Sequence, residues 1–249
     1  MLRRPVAAGI DAVTTLRHFA IVTYAVPPAR LRPLVDERFD LDCIEVDGAS
    51  RALLSVVPFE DQDFRAAALP SPRLRCGQTN YRIYVRDGAG RRSVWFLGTV
   101  LGSWSVVIPR YAWRLPWHYG RFTFACRQEP SGRYSRYRVE TRSRWAPARL
   151  ELSDDVQDAS VFPGFPDDET ARVILTHPLT GYYTRTDGRL GTYSVWHDRL
   201  FLRAGRVVSA EFGLLDRLGL VPLAEQARPY NVLIQPSTEF VVKLPPRIV

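Results

Sequence analysis

The sequence predicts an α+β fold that is predominantly antiparallel β with few short helices, and three observations carry that reading. Asp-Gly pairs at Asp47-Gly48, Asp87-Gly88 and Asp187-Gly188 stand between β-branched or aromatic runs, a strong short-range hairpin signal. Helical patterns are few, and prolines keep them short. No internal repeat, low-complexity tract or linker divides residues 1–249, so one domain is expected, with 46% apolar residues to fill its core.

Taken in order, LRHFAIVTYAV (Leu16 to Val26) is a strand that Pro27-Pro28 ends. A short helix follows, with Leu31, Leu34 and Val35 on one side. Asp47-Gly48 turns CIEV back onto ASRALLSVVPF. The segment EDQDFRAAALPSPRLR, with two prolines and mixed polarity, reads as a loop crossing the body of the domain. A second hairpin follows in TNYRIYVRDGAGRRSVWFLGTV, turned at Asp87-Gly88 and Gly90. Its first strand sends Gln78, Asn80, Arg82 and Tyr84 to one face, and Thr79, Tyr81, Ile83 and Val85 to the other. A face that polar meets either water or a ligand cavity. Between Pro109 and Pro116 only a short helix fits. Pro130-Ser131-Gly132 turns another hairpin, and the acidic residues Asp167, Asp168 and Glu169 open a helix from Asp168 to His177 that the helix dipole favours. The hairpin at Asp187-Gly188, then RVVSAEF, a short GLLDRLGLVPL segment and NVLIQPSTEFVVKL complete the chain.

Composition narrows the function classes. No apolar run reaches the roughly 18 residues that cross a bilayer, and MLRRPVAAGIDAV has no apolar core before Asp11, so a cytoplasmic protein without membrane partners is expected. Three cysteines without CxxC spacing, Cys43, Cys76 and Cys126, predict buried thiols and neither disulfides nor a zinc cluster. The formal charge is +8, but the basic residues are spread along the chain. In GRYSRYRVETRSRW, Arg133, Arg136, Arg138, Arg142 and Arg144 do not share one strand face, so a solvated hairpin is expected and nucleic acid is not. Lys243 is the only lysine among 34 basic residues. A homo-oligomer is left open.

His18, His118, His177 and His197 show no ligand spacing, so no metal and no cofactor is predicted. There is no GxSxG and no P-loop, and GAGRRS lies at a hairpin tip with no helix behind it. His118 and His197, each among aromatics in PWHYG and SVWHD, are proton-transfer candidates. In the Glu60, Asp61 and Asp63 trio, Glu60 is the residue to watch, because a carboxylate at the end of an apolar strand can have its pKa raised.

The residues also resemble a known family. ALLSVVPF, the Asn80-Tyr81-Arg82-Ile83-Tyr84-Val85 run, Pro109-Arg110-Tyr111, Leu115-Pro116-Trp117 and the closing VLIQPSTEFVV look like the bacterial YqjF-like proteins of the acetoacetate decarboxylase-like superfamily, over nearly the whole chain. The resemblance implies a cone-like or barrel-like domain enclosing a small-molecule cavity. Acetoacetate decarboxylase forms a Schiff base on a lysine, and the central stretch here has none. Arg82, Arg110 and Arg114 stay protonated and cannot form an imine, so decarboxylation by that route is not expected. The expectation is a protein that binds a small anionic or carbonyl ligand, an organic acid for example. Asn80 and Arg82 orient it, Tyr84 and Arg110 assist, and Trp113, His118 and Trp196 form an aromatic wall. The alternative is a lysine-independent lyase, isomerase or hydratase acting on a keto or hydroxy acid, with Glu60, His118 or His197 moving the proton.

Overall fold

A computed structural model describes residues 4–69, 71–154 and 162–249. In chain order the strands are β1 (Ala12–Val26), β2 (Asp40–Leu41), β3 (Cys43–Val46), β4 (Ala49–Ala66), β5 (Leu74–Arg86), β6 (Arg92–Leu101), β7 (Trp117–Tyr119), β8 (Arg121–Phe124), β9 (Arg127–Gln128), β10 (Tyr134–Arg142), β11 (Ala148–Ser153), β12 (Thr180–Thr184), β13 (Leu190–His197), β14 (Arg203–Ala204), β15 (Arg206–Phe212) and β16 (Asn231–Ile248). Three short α-helices join them: α1 (Pro28–Leu31), α2 (Asp168–Thr176) and α3 (Gly213–Arg217).

Seven strands close a barrel. The order β5-β4-β1-β16-β13-β12-β6 runs round it, and β6 pairs with β5 to complete the circle. Every pairing in it is antiparallel except β6 with β12, where Gly181 lies beside Val94. A second sheet, β15-β11-β10-β8, covers one side of the barrel.

Both faces of the barrel strands are therefore buried on that side, which is why Ala52 to Phe59 is apolar at both parities except for Ser55, rather than alternating. Ala20, Val22, Leu54, Val56, Tyr81 and Ile83 point outward and pack against Tyr137, Val139, Leu150 and Phe212 of the second sheet. Phe19, Ile21, Leu53, Val57, Phe59 and Phe96 belong to a separate core inside the barrel, shared with Ala171 and Leu175 of α2.

The predicted hairpins form. At the first, Asp47 and Gly48 take φ of 51° and 72°, the paired left-handed conformations of a turn that matches strand twist. Helix α2 starts where its acidic residues predict, with the Asp167 carboxylate accepting from the Thr170 amide at 2.7 Å. Between Pro109 and Pro116 the chain makes one wide helical turn, Ile108–Ala112.

Two expectations need correction. Glu60 to Ala66 is not loop but the end of β4, because β1 and β5 flank it on both sides and satisfy its backbone groups, with Ala12 opposite Ala66 and Leu74 opposite Phe64. A bulge between Asp61 and Phe64, where Asp63 takes φ 57°, absorbs the irregular sequence. Of the thiols, only Cys76 is buried, while Cys43 is exposed and Cys126 is intermediate. Among the described residues, no helix is long and apolar enough to cross a membrane.

Candidate functional site

The barrel encloses a cavity of about 340 Å³. Period-two geometry fixes which residues reach it. On β5 the inward positions are Cys76, Gln78, Asn80 and Arg82; on β4 they are Val57, Phe59 and Asp61; on β13 they are Tyr193, Val195 and His197. The connection after β6 contributes Ser105, Ile108, Pro109, Trp113 and Leu115, the end of α2 contributes Thr176 and the chain after it Pro178. Most of the lining is aromatic or aliphatic; the polar groups on the strands include Gln78, Asn80 and Arg82 on β5, with Thr14, Asp61 and His197 on other strands.

Arg82 is the cation of this site. Its Nη2 donates to the Leu175 carbonyl at 2.9 Å and to the Tyr84 hydroxyl at 3.2 Å, and its guanidinium lies 5.5 Å from the centre of the Tyr84 ring. Tyr84 Oη donates in turn to Leu175 O at 2.9 Å and is 3.0 Å from Ser55 Oγ. Leu175 and Thr176 end α2, so these contacts satisfy carbonyls that the helix leaves open. The Arg82 Nε is buried without a hydrogen-bond partner, and no described carboxylate forms a salt bridge with this guanidinium. Beside it, Asn80 Oδ1 accepts from Thr99 Oγ1 at 2.8 Å and from Gln78 Nε2 at 3.0 Å.

At another part of the wall stands Asp61, which is 2% exposed. Its Oδ1 accepts from Thr14 Oγ1 at 2.9 Å, while Oδ2 is buried without a partner. Burial pushes its carboxyl up to about 7, with the neighbouring Glu60 adding to the effect. Cys76, opposite Asp61 in the strand register, has its thiol pushed up to about 12 by burial and by the two carboxylates, so it is no thiolate near neutral pH.

The predicted residues divide between this cavity and other places. Asn80, Arg82, Trp113 and His197 line the cavity, and Tyr84 braces Arg82 from behind. Glu60 does not reach it. One step out of phase with Asp61, it is gripped by Arg75 Nε and Nη2 at 2.9 and 3.0 Å and by Gln62 at 3.2 Å. Arg110 and His118 line an open groove of about 1150 Å³ between the β6–β7 connection and the second sheet. There His118 stacks on Trp145 at 4.2 Å, and burial with the Arg110 charge holds its pKa down to about 4. Trp196 points out of the barrel, under Arg4 at 5.7 Å.

His197 reaches the cavity wall with both nitrogens engaged, Nδ1 2.8 Å from Asp198 O and Nε2 2.9 Å from Thr176 O. Burial lowers its pKa, the His177 and Arg82 charges act in the same direction, and the two backbone carbonyls oppose them. It has no lone nitrogen to offer a ligand. Lys243 lies on β16 between β1 and β13 rather than on an edge. Its neighbours Val242 and Leu244 face the cavity, whereas its Nζ bonds Asp11 Oδ2 at 2.8 Å and Val6 O at 3.1 Å.

Asp61 is the residue that sequence reading passed over. Its signal was parity with Val57 and Phe59, hidden because the run before it is apolar at every position. Among the described residues no three His, Cys, Asp or Glu side chains gather as metal ligands.

The sequence family DUF2071, an uncharacterized conserved protein family (COG2071), matches residues 13–239. The chain belongs to it. No curated protein matches this DUF2071 member. Its fold is that of the acetoacetate decarboxylase-like proteins. The enduracididine biosynthesis enzyme MppR complexed with pyruvate is 13% identical, with a TM-score of 0.59 over 99% of this chain and 93% of that one. Acetoacetate decarboxylase from Legionella pneumophila subsp. pneumophila str. Philadelphia 1 is 11% identical, with a TM-score of 0.60 over 100% and 92%. An acetoacetate decarboxylase-like enzyme from Sphingomonas wittichii RW1 is 12% identical, with a TM-score of 0.59 over 97% and 94%. At such identities the likeness of this DUF2071 chain to these structures is one of fold.

Proposed function

We propose that this DUF2071 protein is a cytoplasmic, single-domain binder of a small organic acid, held in the barrel cavity with its carboxylate on Arg82. The observation that carries the reading is a guanidinium inside a mostly apolar cavity with no carboxylate in salt-bridge range among the described residues. An unpaired charge taken out of water costs several kcal/mol, and an anionic ligand offsets that cost. Asn80 orients the ligand with its free amide nitrogen, Tyr84 holds the guanidinium in place, and Trp113 closes the apolar wall. A protein of like fold complexed with pyruvate supports the ligand class. Imine chemistry is left out, because Lys243 points away from the cavity and is bound to Asp11.

Calorimetric titration with pyruvate and larger 2-oxo acids tests this. Arg82→Gln should weaken binding at least about tenfold, the loss expected when a charge-assisted contact goes. Arg82→Lys, which keeps a cation, should recover part of it. Wild-type affinity in Arg82→Gln, or no acid bound by the native protein, overturns the proposal.

Asp61 favours one second reading, a lysine-independent lyase, isomerase or hydratase, since a carboxyl titrating near pH 7 inside the cavity is suited to proton transfer. Turnover that survives Asp61→Asn unchanged rejects it.

A further inference from the structure

The cavity is longer than a three-carbon acid requires. Asp61 stands opposite Cys76, and Ser55 opposite Arg82, along the β4–β5 pair. Cys76 and Arg82 share the inward face of β5, with on the order of 20 Å of strand between them. Asp61 and Arg82 therefore mark two separate stations along one wall. Between them, Gln78 and Asn80 use each other and Thr99, which leaves Gln78 Oε1 and Asn80 Nδ2 without a hydrogen bond to another described residue. The facing walls are apolar: Leu16, Phe19, Phe96, Trp113 and Phe240. The cavity is thus polar along the β4–β5 wall, cationic at the Arg82 station and carboxylic at the Asp61 station.

We infer that the natural ligand is an extended hydroxy acid, with its carboxylate at Arg82, its apolar body against the aromatic walls and a hydroxyl at Asp61. This rests on the acid-binding role proposed for Arg82. A small 2-oxo acid held there would leave most of the 340 Å³ volume, about ten times the share of one water in the liquid, to solvent against aromatic rings. It would also leave Asp61 Oδ2 without a partner, and buried polar groups without partners are rare. A hydroxyl both donates and accepts, so it serves Asp61 in either protonation state.

The test is a titration of butanoate, octanoate, dodecanoate and ω-hydroxydodecanoate against the native protein, Asp61→Ala and Arg82→Gln. Each buried methylene adds to affinity, so dodecanoate should bind at least about tenfold tighter than butanoate. The ω-hydroxy acid should gain about fivefold or more over dodecanoate on the native protein, from the hydrogen bond restored at Asp61. Asp61→Ala should abolish that gain and keep the length dependence. Thr14 retains the Gln62 carbonyl as a partner in this variant, at 3.2 Å, and Asp61→Leu serves if Asp61→Ala does not fold. Equal affinity for butanoate and dodecanoate overturns the extended ligand, as does a hydroxyl gain that survives at Asp61→Ala. If short acids bind and lose affinity in Arg82→Gln while chain length makes no difference, only this inference falls. If no acid binds, or Arg82→Gln binds all of them as the native protein does, the acid-binding role falls and takes the inference with it.

Discussion

Arg82 serves two masters: its Nη2 bonds the Leu175 carbonyl at the end of α2 and the Tyr84 hydroxyl, while its Nε is buried without a partner. Asp61 is simpler, and its chemistry can be read from stability. Burial raises its carboxyl from 3.8 to about 7. Between those values the unfolded chain ionises here while the folded chain stays protonated. The native state is therefore at no disadvantage from this group below pH 3.8, and it loses stability as pH rises toward 7. Asp61→Asn removes the titration, so thermal melts should show the variant gaining on the native protein by up to a few kcal/mol near pH 8 and by close to nothing near pH 4. A gain that does not change with pH would show that Asp61 is already ionised in the folded protein. At this scale the sequence was half legible. Alternation placed Gln78, Asn80, Arg82 and Tyr84 on one face, and the structure turns that face inward. It gave no phase for Glu60 and Asp61, because β4 is buried on both faces just before them and apolar residues fill both parities. Nothing local marked His118 and Arg110 as belonging to a different groove, since that is decided by how the second sheet lies on the barrel.

The element that shapes the cavity most tightly is the parallel pair of β6 and β12. Gly181 sits there against Phe96, whose ring stacks on Tyr193 with centroids 5.3 Å apart. A Cβ at Gly181 would come within 2.2 Å of Phe96 Cε2, so the ring must leave its place. Gly181→Ala should cost about 1–3 kcal/mol by overpacking and lower the melting temperature by several degrees. It should also weaken acid binding, since Phe96 and Tyr193 both line the cavity. An unchanged melting temperature would show that the ring has room to move. The hairpins were legible because Asp-Gly and Pro-Ser-Gly chemistry is local. The end of β4 was not, because two distant strands, β1 and β5, hold polar residues extended there. The resemblance to a barrel-like family supplied the closure that no local pattern shows.

For the molecule as a whole, the expectation that the β10 arginines avoid a shared face needs correction: Arg136, Arg138 and Arg142 all lie on its exposed face, because the alternate positions Tyr137, Val139 and Thr141 turn to the core, and only Glu140 interrupts the arginines there. Arg133 reaches the Asp154 carbonyl at 2.8 Å, and Arg142 pairs with Glu140 at 2.9 Å. Closure matters more. The barrel is sealed by β16, which pairs with β1 on one side and β13 on the other, and Ala12 meets Val242 across the first of these seams. Two neighbours in space are thus almost as far apart in sequence as the chain allows, and contacts of that kind slow folding because the loop must close before it is rewarded. A ribosome that has made everything up to Arg228 has made a barrel with a stave missing, with β1 and β13 presenting bare edges to any other strand nearby. A chain truncated there should scatter light and resist refolding, whereas the intact chain should refold in one slow phase that recovers the cavity and the stability together. A soluble, cooperatively melting fragment would mean that the other strands can close without β16. The acid binding proposed for Arg82 would then arrive late, with β16, and its appearance during refolding would be a direct clock for the closing of the barrel.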